Sequence, residues 1–195
     1  MRRPAETTIG LLRHGATERK GFIGSTDEPL TSQGIEQMRA AVGEGAGWEV
    51  VVSSPLVRCT AFATEFSRRE GIALHTDERL RELHFGEWEG MSSAQLMRGQ
   101  PEDLARFWNN PYRNTPPGGE TLRAFERRVL AVWQDVIWRY RRERVLVVTH
   151  AGVIRIILCH VRRLPRSALL SVDVPHASLR CISARSTRLP QQLIR

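Results

Sequence analysis

The run Val145-Leu146-Val147-Val148-Thr149-His150-Ala151-Gly152-Val153-Ile154-Arg155-Ile156-Ile157-Leu158 decides the fold. Val145 to Thr149 is a continuous apolar stretch, which suits a strand covered on both faces. Ala151 to Val161 follows it directly as an apolar helix. A covered strand passing straight into a helix is the repeating unit of an α/β fold. The same alternation recurs on either side. Thr7 to Leu12, Val50 to Ser53 and Ala73 to Thr76 read as further strands. Leu169 to Val174 and Ser178 to Ala184 are expected to complete the sheet.

Helices fill the gaps. One is expected near Thr31, with Ile35, Met38 and Val42 on one face. Another follows Pro55, a good first-turn residue, and carries Phe62 and Phe66. From about Glu120 to Tyr140, the residues Leu122, Phe125, Val129, Val132, Val136 and Tyr140 recur at intervals of three and four, the helical period. Trp133 joins this stripe as core. The expected architecture is a three-layer α/β/α sandwich with a mostly parallel central sheet, one domain over residues 1–195. Asn109 to Gly119 is too rich in proline and glycine for regular structure, and reads either as a connector or as a lid over a site.

Composition narrows the function classes. No apolar run reaches the length of a bilayer span, and no apolar segment follows Arg2 and Arg3 as in a signal peptide. A cytoplasmic, non-membrane protein is expected. Cys59, Cys159 and Cys181 are few and far apart, which argues against a disulfide framework and a zinc site and for mostly buried thiols. The net charge is +8, yet Lys20 is the only lysine. So strong an arginine skew points to base-composition bias. The runs Arg139-Arg141-Arg142-Arg144 and Arg162-Arg163-Arg166 flank the expected elements and read as solvated surface, so no nucleic-acid partner is expected.

Two strands end in the same way. Arg13-His14-Gly15 follows the first, and Thr149-His150-Ala151-Gly152 follows the buried one. In open parallel sheets, ligands bind beyond the carboxyl ends of the strands, where helix N-termini point. Val50 to Ser53 ends there too, and its following helix carries Arg58 in the first turn, able to grip a phosphate in bidentate fashion. In Arg81-Glu82-Leu83-His84-Phe85-Gly86-Glu87-Trp88-Glu89-Gly90, acidic residues alternate with aromatics. A carboxylate held against aromatic surface resists ionisation, which a general acid requires.

Together these pieces resemble the histidine phosphatase superfamily, the phosphoglycerate mutase-like family. The matching segments are Leu12-Arg13-His14-Gly15, Pro29-Leu30-Thr31 with Gly34, Ser53 to Ala61, Arg81 to Gly86 and Thr149 to Arg155, in family order. The resemblance implies a nucleophilic His14 and a phosphohistidine intermediate. It implies that Arg13, Arg58 and His150 hold the phosphoryl oxygens and that Glu82 is the general acid and base. It implies no metal and no cofactor. Within the superfamily, the loop Arg19 to Pro29, His84 to Gly90, Pro116 to Glu120 and Val174 to Ser178 are most similar to the α-ribazole phosphatase branch. Thr17, Lys20, Phe22, Trp88, Tyr112, Glu120, Ala151 and His176 are the expected substrate contacts. Phe22, Trp88 and Tyr112 or Trp108 would form an aromatic wall, with Trp108 the one expected to be plain packing.

The sequence departs from the family pattern at Ala16, where a Glu is common, at Lys20, where many members have a phosphate-contacting asparagine, and at Ala151, usually glycine. His75 and His160 are expected to be structural, and His84 to pack. The expected substrate is a small phosphomonoester, with α-ribazole 5′-phosphate first and a monomer or homodimer as the working unit. The alternatives are a broad-specificity sugar or nucleotide phosphatase, a phosphoglycerate mutase, and a non-catalytic anion-binding scaffold. The short segment after the acid loop disfavours the mutase.

Overall fold

The computed structural model of the protein describes residues 6–184. Arg2, Arg3 and both ends of the expected domain lie outside them. Strands β1 (Thr7–Arg13), β2 (Val50–Ser53), β3 (Ala73–Thr76), β4 (Arg144–Thr149) and β5 (Leu179–Ala184) form one sheet in the order β3-β2-β4-β1-β5. All neighbouring pairs are parallel except β1 with β5.

Alternation along the strands builds the three layers. Ile9, Leu11, Val50, Val52, Val145 and Val147 face one core cluster, shared with α5 (Leu122–Arg139) and α6 (Ala151–Val161). Leu12, Val51, Leu146 and Val148 face the other, shared with α1 (Ser32–Val42) and α2 (Val57–Glu70). Because both faces of the central strands are covered, alternation in polarity disappears and β4 reads as a solid apolar run.

Local chemistry sets the helix ends. Thr31 caps α1 by accepting from the Gly34 N–H, and Thr121 caps α5 from the Ala124 N–H. α2 begins at Val57 rather than in the turn of Pro55, because Leu56 is still extended. The proline ends the β2 turn instead. Two helices absent from the sequence reading, α3 (Ser93–Gly99) and α4 (Pro101–Asn109), fill the stretch before the proline-rich loop. Ser92 and Gln95 form a capping box on α3, and Pro101 opens α4.

Leu169 to Val174 is not a strand. Arg166–Ser171 forms a 3-10 helix, and Leu169 is buried in the α5/α6 core. Leu169 on this short turn and Val174 beyond it, both buried, give the same local pattern as a buried strand. Asn109 to Gly119 is irregular beyond α4, as expected, but it is bound to the acid loop. The Glu87 N–H donates to Pro117 O at 2.9 Å, and the Glu120 N–H to His84 O at 2.8 Å. Gly86, at φ 58°, has no room for a Cβ against residues 117–119. Cys59 is buried and Cys159 partly so, but Cys181 is exposed, as are His75 and His160.

Candidate active site

The register of β1 and β4 places Arg13 opposite Thr149, so His14 and His150 leave adjacent strands side by side. Their ring centroids are 5.3 Å apart. The His14 N–H donates to Thr149 O at 2.9 Å, which locks the turn after β1 to β4. Gly15 and Gly34 pack backbone to backbone, and a Cβ on Gly15 would strike the Gly34 carbonyl. That contact seats α1 directly against the histidine turn.

His14 Nδ1 lies 2.8 Å from Gly15 O. A carbonyl can only accept, so Nδ1 carries the proton and Nε2 the free lone pair. Burial holds His14 well below its usual pKa, and Arg58 and Arg13 add to the shift. The ring is therefore neutral at physiological pH, with a nucleophilic nitrogen exposed to whatever sits between the arginines.

Arg58 is fully buried on the first turn of α2. Its Nε donates to His150 Nδ1 at 3.2 Å, Nη1 to Thr26 O at 2.7 Å and Nη2 to Gly24 O at 2.6 Å. A guanidinium has five N–H donors, so two remain for a ligand. Arg13 donates from Nη1 to Val174 O, and its buried Nε has no partner. A buried cationic donor with no protein partner is suited to hold an anion beside His14.

Both nitrogens of His150 are engaged. Nδ1 accepts from Arg58, so Nε2 donates to Ser54 Oγ at 2.7 Å. Burial first, then Arg58 and His14, holds this ring neutral. In this arrangement His150 orients Arg58. Ser54 is a positioning residue that sequence reasoning missed, since its partner is 96 positions away. Cys59 lies against the same ring, but burial pushes its thiol up to about 12, so it stays protonated and inert.

Glu82 reaches the site from the acid loop. Its Oε1 accepts from the Leu83 N–H at 2.9 Å and its Oε2 from the Gly152 N–H at 3.0 Å, at the N-terminus of α6. Glycine at position 152 lets the carboxylate come this close, because a Cβ there would meet Glu82 Oε1 and push it away. Arg128 braces the loop from α5 by donating to the carbonyls of Arg79, Arg81 and Glu82. Glu120 pairs with Arg128 at 2.7 Å, so its contact is with that brace.

Glu89 does not resist ionisation. Burial opposes its charge, but Thr26 Oγ1, the Ser25 N–H and hydroxyl, and His84 all bond to it and bring it down to about 2. It is the anchor of the 24–26 loop whose carbonyls hold Arg58. His84 bonds to it through Nδ1 at 2.8 Å rather than merely packing.

The expected aromatic wall is rearranged. Trp88 is 1% exposed, and its indole donates to Gln100. Phe22 is buried among Phe85, Trp88 and Trp108. Tyr112 donates to Glu126 and lies under Arg166. Trp108, expected to be plain packing, is 46% exposed and forms the open rim of this cluster. Thr17 is buried and bridges to Leu30, with its hydroxyl donating to Arg19 O. Lys20 is exposed, and Ala151 is the buried first residue of α6. His176 lies beside His14, with ring centroids 5.6 Å apart.

Among the described residues, no group of three or more His, Cys, Asp or Glu is placed to hold a metal ion. None of their helices is long and apolar enough to cross a membrane. The model of the histidine phosphatase superfamily (branch 1) matches residues 9–192. The chain belongs to the histidine phosphatase superfamily. Bifunctional protein Rv2228c of Mycobacterium tuberculosis is 36% identical over 162 residues, covering 80% of this chain and 44% of that protein. The chain thus spans less than half the length of that relative. The 2,3-bisphosphoglycerate-dependent phosphoglycerate mutase of Rhizobium etli is 29% identical over 187 residues, 88% of each chain. The α-ribazole phosphatase of Shigella flexneri superposes with a TM-score of 0.79 over 89% of each chain, and its 24% identity supports the shared fold alone. Proteins that this chain resembles are thus named as mutases and phosphatases.

Proposed function

We propose that this histidine phosphatase hydrolyses phosphomonoesters through a phosphohistidine, without metal or cofactor. The observation that carries the reading is the neutral His14 with its Nε2 lone pair free, set beside the buried Arg58 and the half-buried Arg13, whose guanidinium donors are not all used. Arginine keeps its charge despite burial, so Arg13 and Arg58 supply the positive field that phosphoryl transfer needs. His14 Nε2 attacks phosphorus while the bond to the leaving oxygen breaks. Glu82 gives that oxygen its proton. Glu82 then takes a proton from water, whose oxygen attacks phosphorus, and the N–P bond breaks to release phosphate and restore His14.

The substrate we favour is α-ribazole 5′-phosphate, or a nucleoside phosphate like it with a flat apolar base. The support is the Phe22, Phe85 and Trp108 cluster. Its Phe22 ring belongs to the loop whose Gly24 carbonyl holds Arg58, and its Trp108 rim is open. The two-step chemistry is tested by His14→Ala, which should abolish turnover without unfolding. Rapid acid-free quench of the wild type should trap an acid-labile, base-stable phosphoprotein. A variant that keeps a sizeable rate, or an acid-stable label, would sink the mechanism. The substrate is tested by kcat/KM on α-ribazole 5′-phosphate against 3-phosphoglycerate and phosphoserine. If either small acid is the better substrate, the general phosphatase reading stands alone.

A further inference from the structure

His176 stands beside the nucleophile on a segment that the fold ties down closely. Arg13 Nη1 donates to Val174 O at 2.6 Å, the Arg13 N–H to Ser178 O at 3.1 Å, and the Ala177 N–H to His14 O at 3.1 Å. Ala177 is buried and has φ 53°, a left-handed conformation that a residue with a Cβ adopts only under constraint. This turn holds the His176 ring with its centroid 5.6 Å from that of His14, tilted by 48°.

The two neighbours of His14 differ in kind. His150 is fully buried, and both its nitrogens are used. His176 opens to solvent, and neither ring nitrogen has a hydrogen-bond partner among the described residues. The charged and titratable groups that face it are Arg13, at the end of β1, and His14, in the turn that follows. Arg13 itself has its buried Nε unpartnered. A strained turn therefore presents an unused imidazole beside the His14 ring, with Arg13 and its unused donor close to both.

We propose that His176 is a substrate-contacting residue that donates a hydrogen bond to an oxygen of the phosphoryl group positioned for attack by His14. The proposal rests on the phosphatase reading above. Before the anion binds, burial and Arg13 keep His176 neutral. A dianion lodged between Arg13 and His14 offsets the arginine's repulsion and attracts a proton to the imidazole, making the bond charge-assisted. The contact is made to the ground state as well as the transition state, so it acts mainly on KM.

Sulfate is the probe, because it stays a dianion throughout the neutral range and adds no titration of its own. Calorimetry in buffers of different ionisation enthalpy should show proton uptake on sulfate binding near neutral pH, and His176→Ala should lose most of it. The wild type should bind sulfate more tightly as pH falls from about 8 to about 6, and the variant should show a flatter profile. With p-nitrophenyl phosphate, His176→Ala should raise KM about tenfold while kcat changes less than about threefold. His176→Asn, which donates without charge, should recover part of KM and none of the proton uptake. Far-ultraviolet circular dichroism checks that both variants fold. The proposal is overturned if KM, sulfate affinity and proton uptake in both folded variants match the wild type. A wild type that binds sulfate but turns over no phosphomonoester would instead remove the phosphatase reading, while the variants still report on the anion contact.

Discussion

Gly152→Ala isolates the acid step from the rest of the site. The added Cβ would lie 3.1 Å from Glu82 Cδ and 3.2 Å from Phe125 Cζ, and closer still to Glu82 Oε1. Phe125 is fixed in the core, whereas the carboxylate is the far end of a flexible side chain, so the carboxylate yields. Ordinary contact requires it to retreat by about 1 Å. That movement breaks or stretches the 3.0 Å bond from the Gly152 N–H. Stability should barely fall, because alanine gains up to about 1 kcal/mol of helix propensity over glycine in α6. Catalysis should fall selectively. A displacement of this size can cost about a hundredfold in rate where a proton must reach the leaving oxygen. An alkyl phosphate such as glycerol phosphate needs that proton, and p-nitrophenyl phosphate does not. Steady-state kcat on both, with a thermal melt, is the assay. An alkyl rate within about threefold of wild type, or equal losses on the two substrates, would refute the role given to Glu82.

Glu89→Gln should destabilise the folded protein by about 1–2 kcal/mol, a value kept low by solvent screening, as read by urea denaturation at neutral pH. The folded pKa of Glu89 lies below its unfolded one, so its contribution is complete above the usual 4.5 and is lost as pH falls toward about 2. His14 and His150 are also depressed, so the wild type should already lose stability as pH drops below 6.5; a flat stability profile through this range would contradict the assignments. Trp88→Ala should cost about 3–5 kcal/mol, because the ring is core, whereas Trp108→Ala should leave the melt nearly unchanged and raise KM only for large aromatic substrates. EDTA should leave turnover unchanged and vanadate should inhibit; loss of activity in EDTA that Mg²⁺ restores would overturn the metal-free mechanism.

What the sequence disclosed follows from how far apart the interacting residues are. β4 and α6 were legible because their burial is written in consecutive residues. His14 and His150 were legible because each sits one position past a recognisable strand. α3 and α4 went unread although Ser92, Gln95 and Pro101 carry ordinary helix-start chemistry, since few buried residues, such as Leu96, Leu104 and Phe107, mark their inner faces. The Leu169 to Val174 run misled because Leu169 on a 3-10 turn and Val174 beyond it are both buried in the core, and apolar residues so spaced mimic a strand over so short a window. The loop's carboxylates were expected to resist ionisation against aromatic surface, and Glu89 does the opposite. Its surroundings include Ser25 and Thr26, more than sixty positions distant, and only the folded chain brings those donors to it. Ser54 and the Gly24 and Thr26 carbonyls were hidden for the same reason, the carbonyls doubly so because backbone acceptors leave no trace in residue identity.

The grip on Arg58 has a consequence for how this protein can change. Two of its three anchors are main-chain oxygens of Gly24 and Thr26, on the same loop that lends Phe22 to the aromatic cluster. Side chains on that loop matter to Arg58 only indirectly: the Ser25 and Thr26 hydroxyls bond to Glu89 and so fix the path of the carbonyls, and Gly24 has no room for a Cβ. The loop's length and path cannot change, since one inserted residue would carry a carbonyl away from the guanidinium. Substitution is therefore open here only at positions outside those contacts, and a change of loop length is closed.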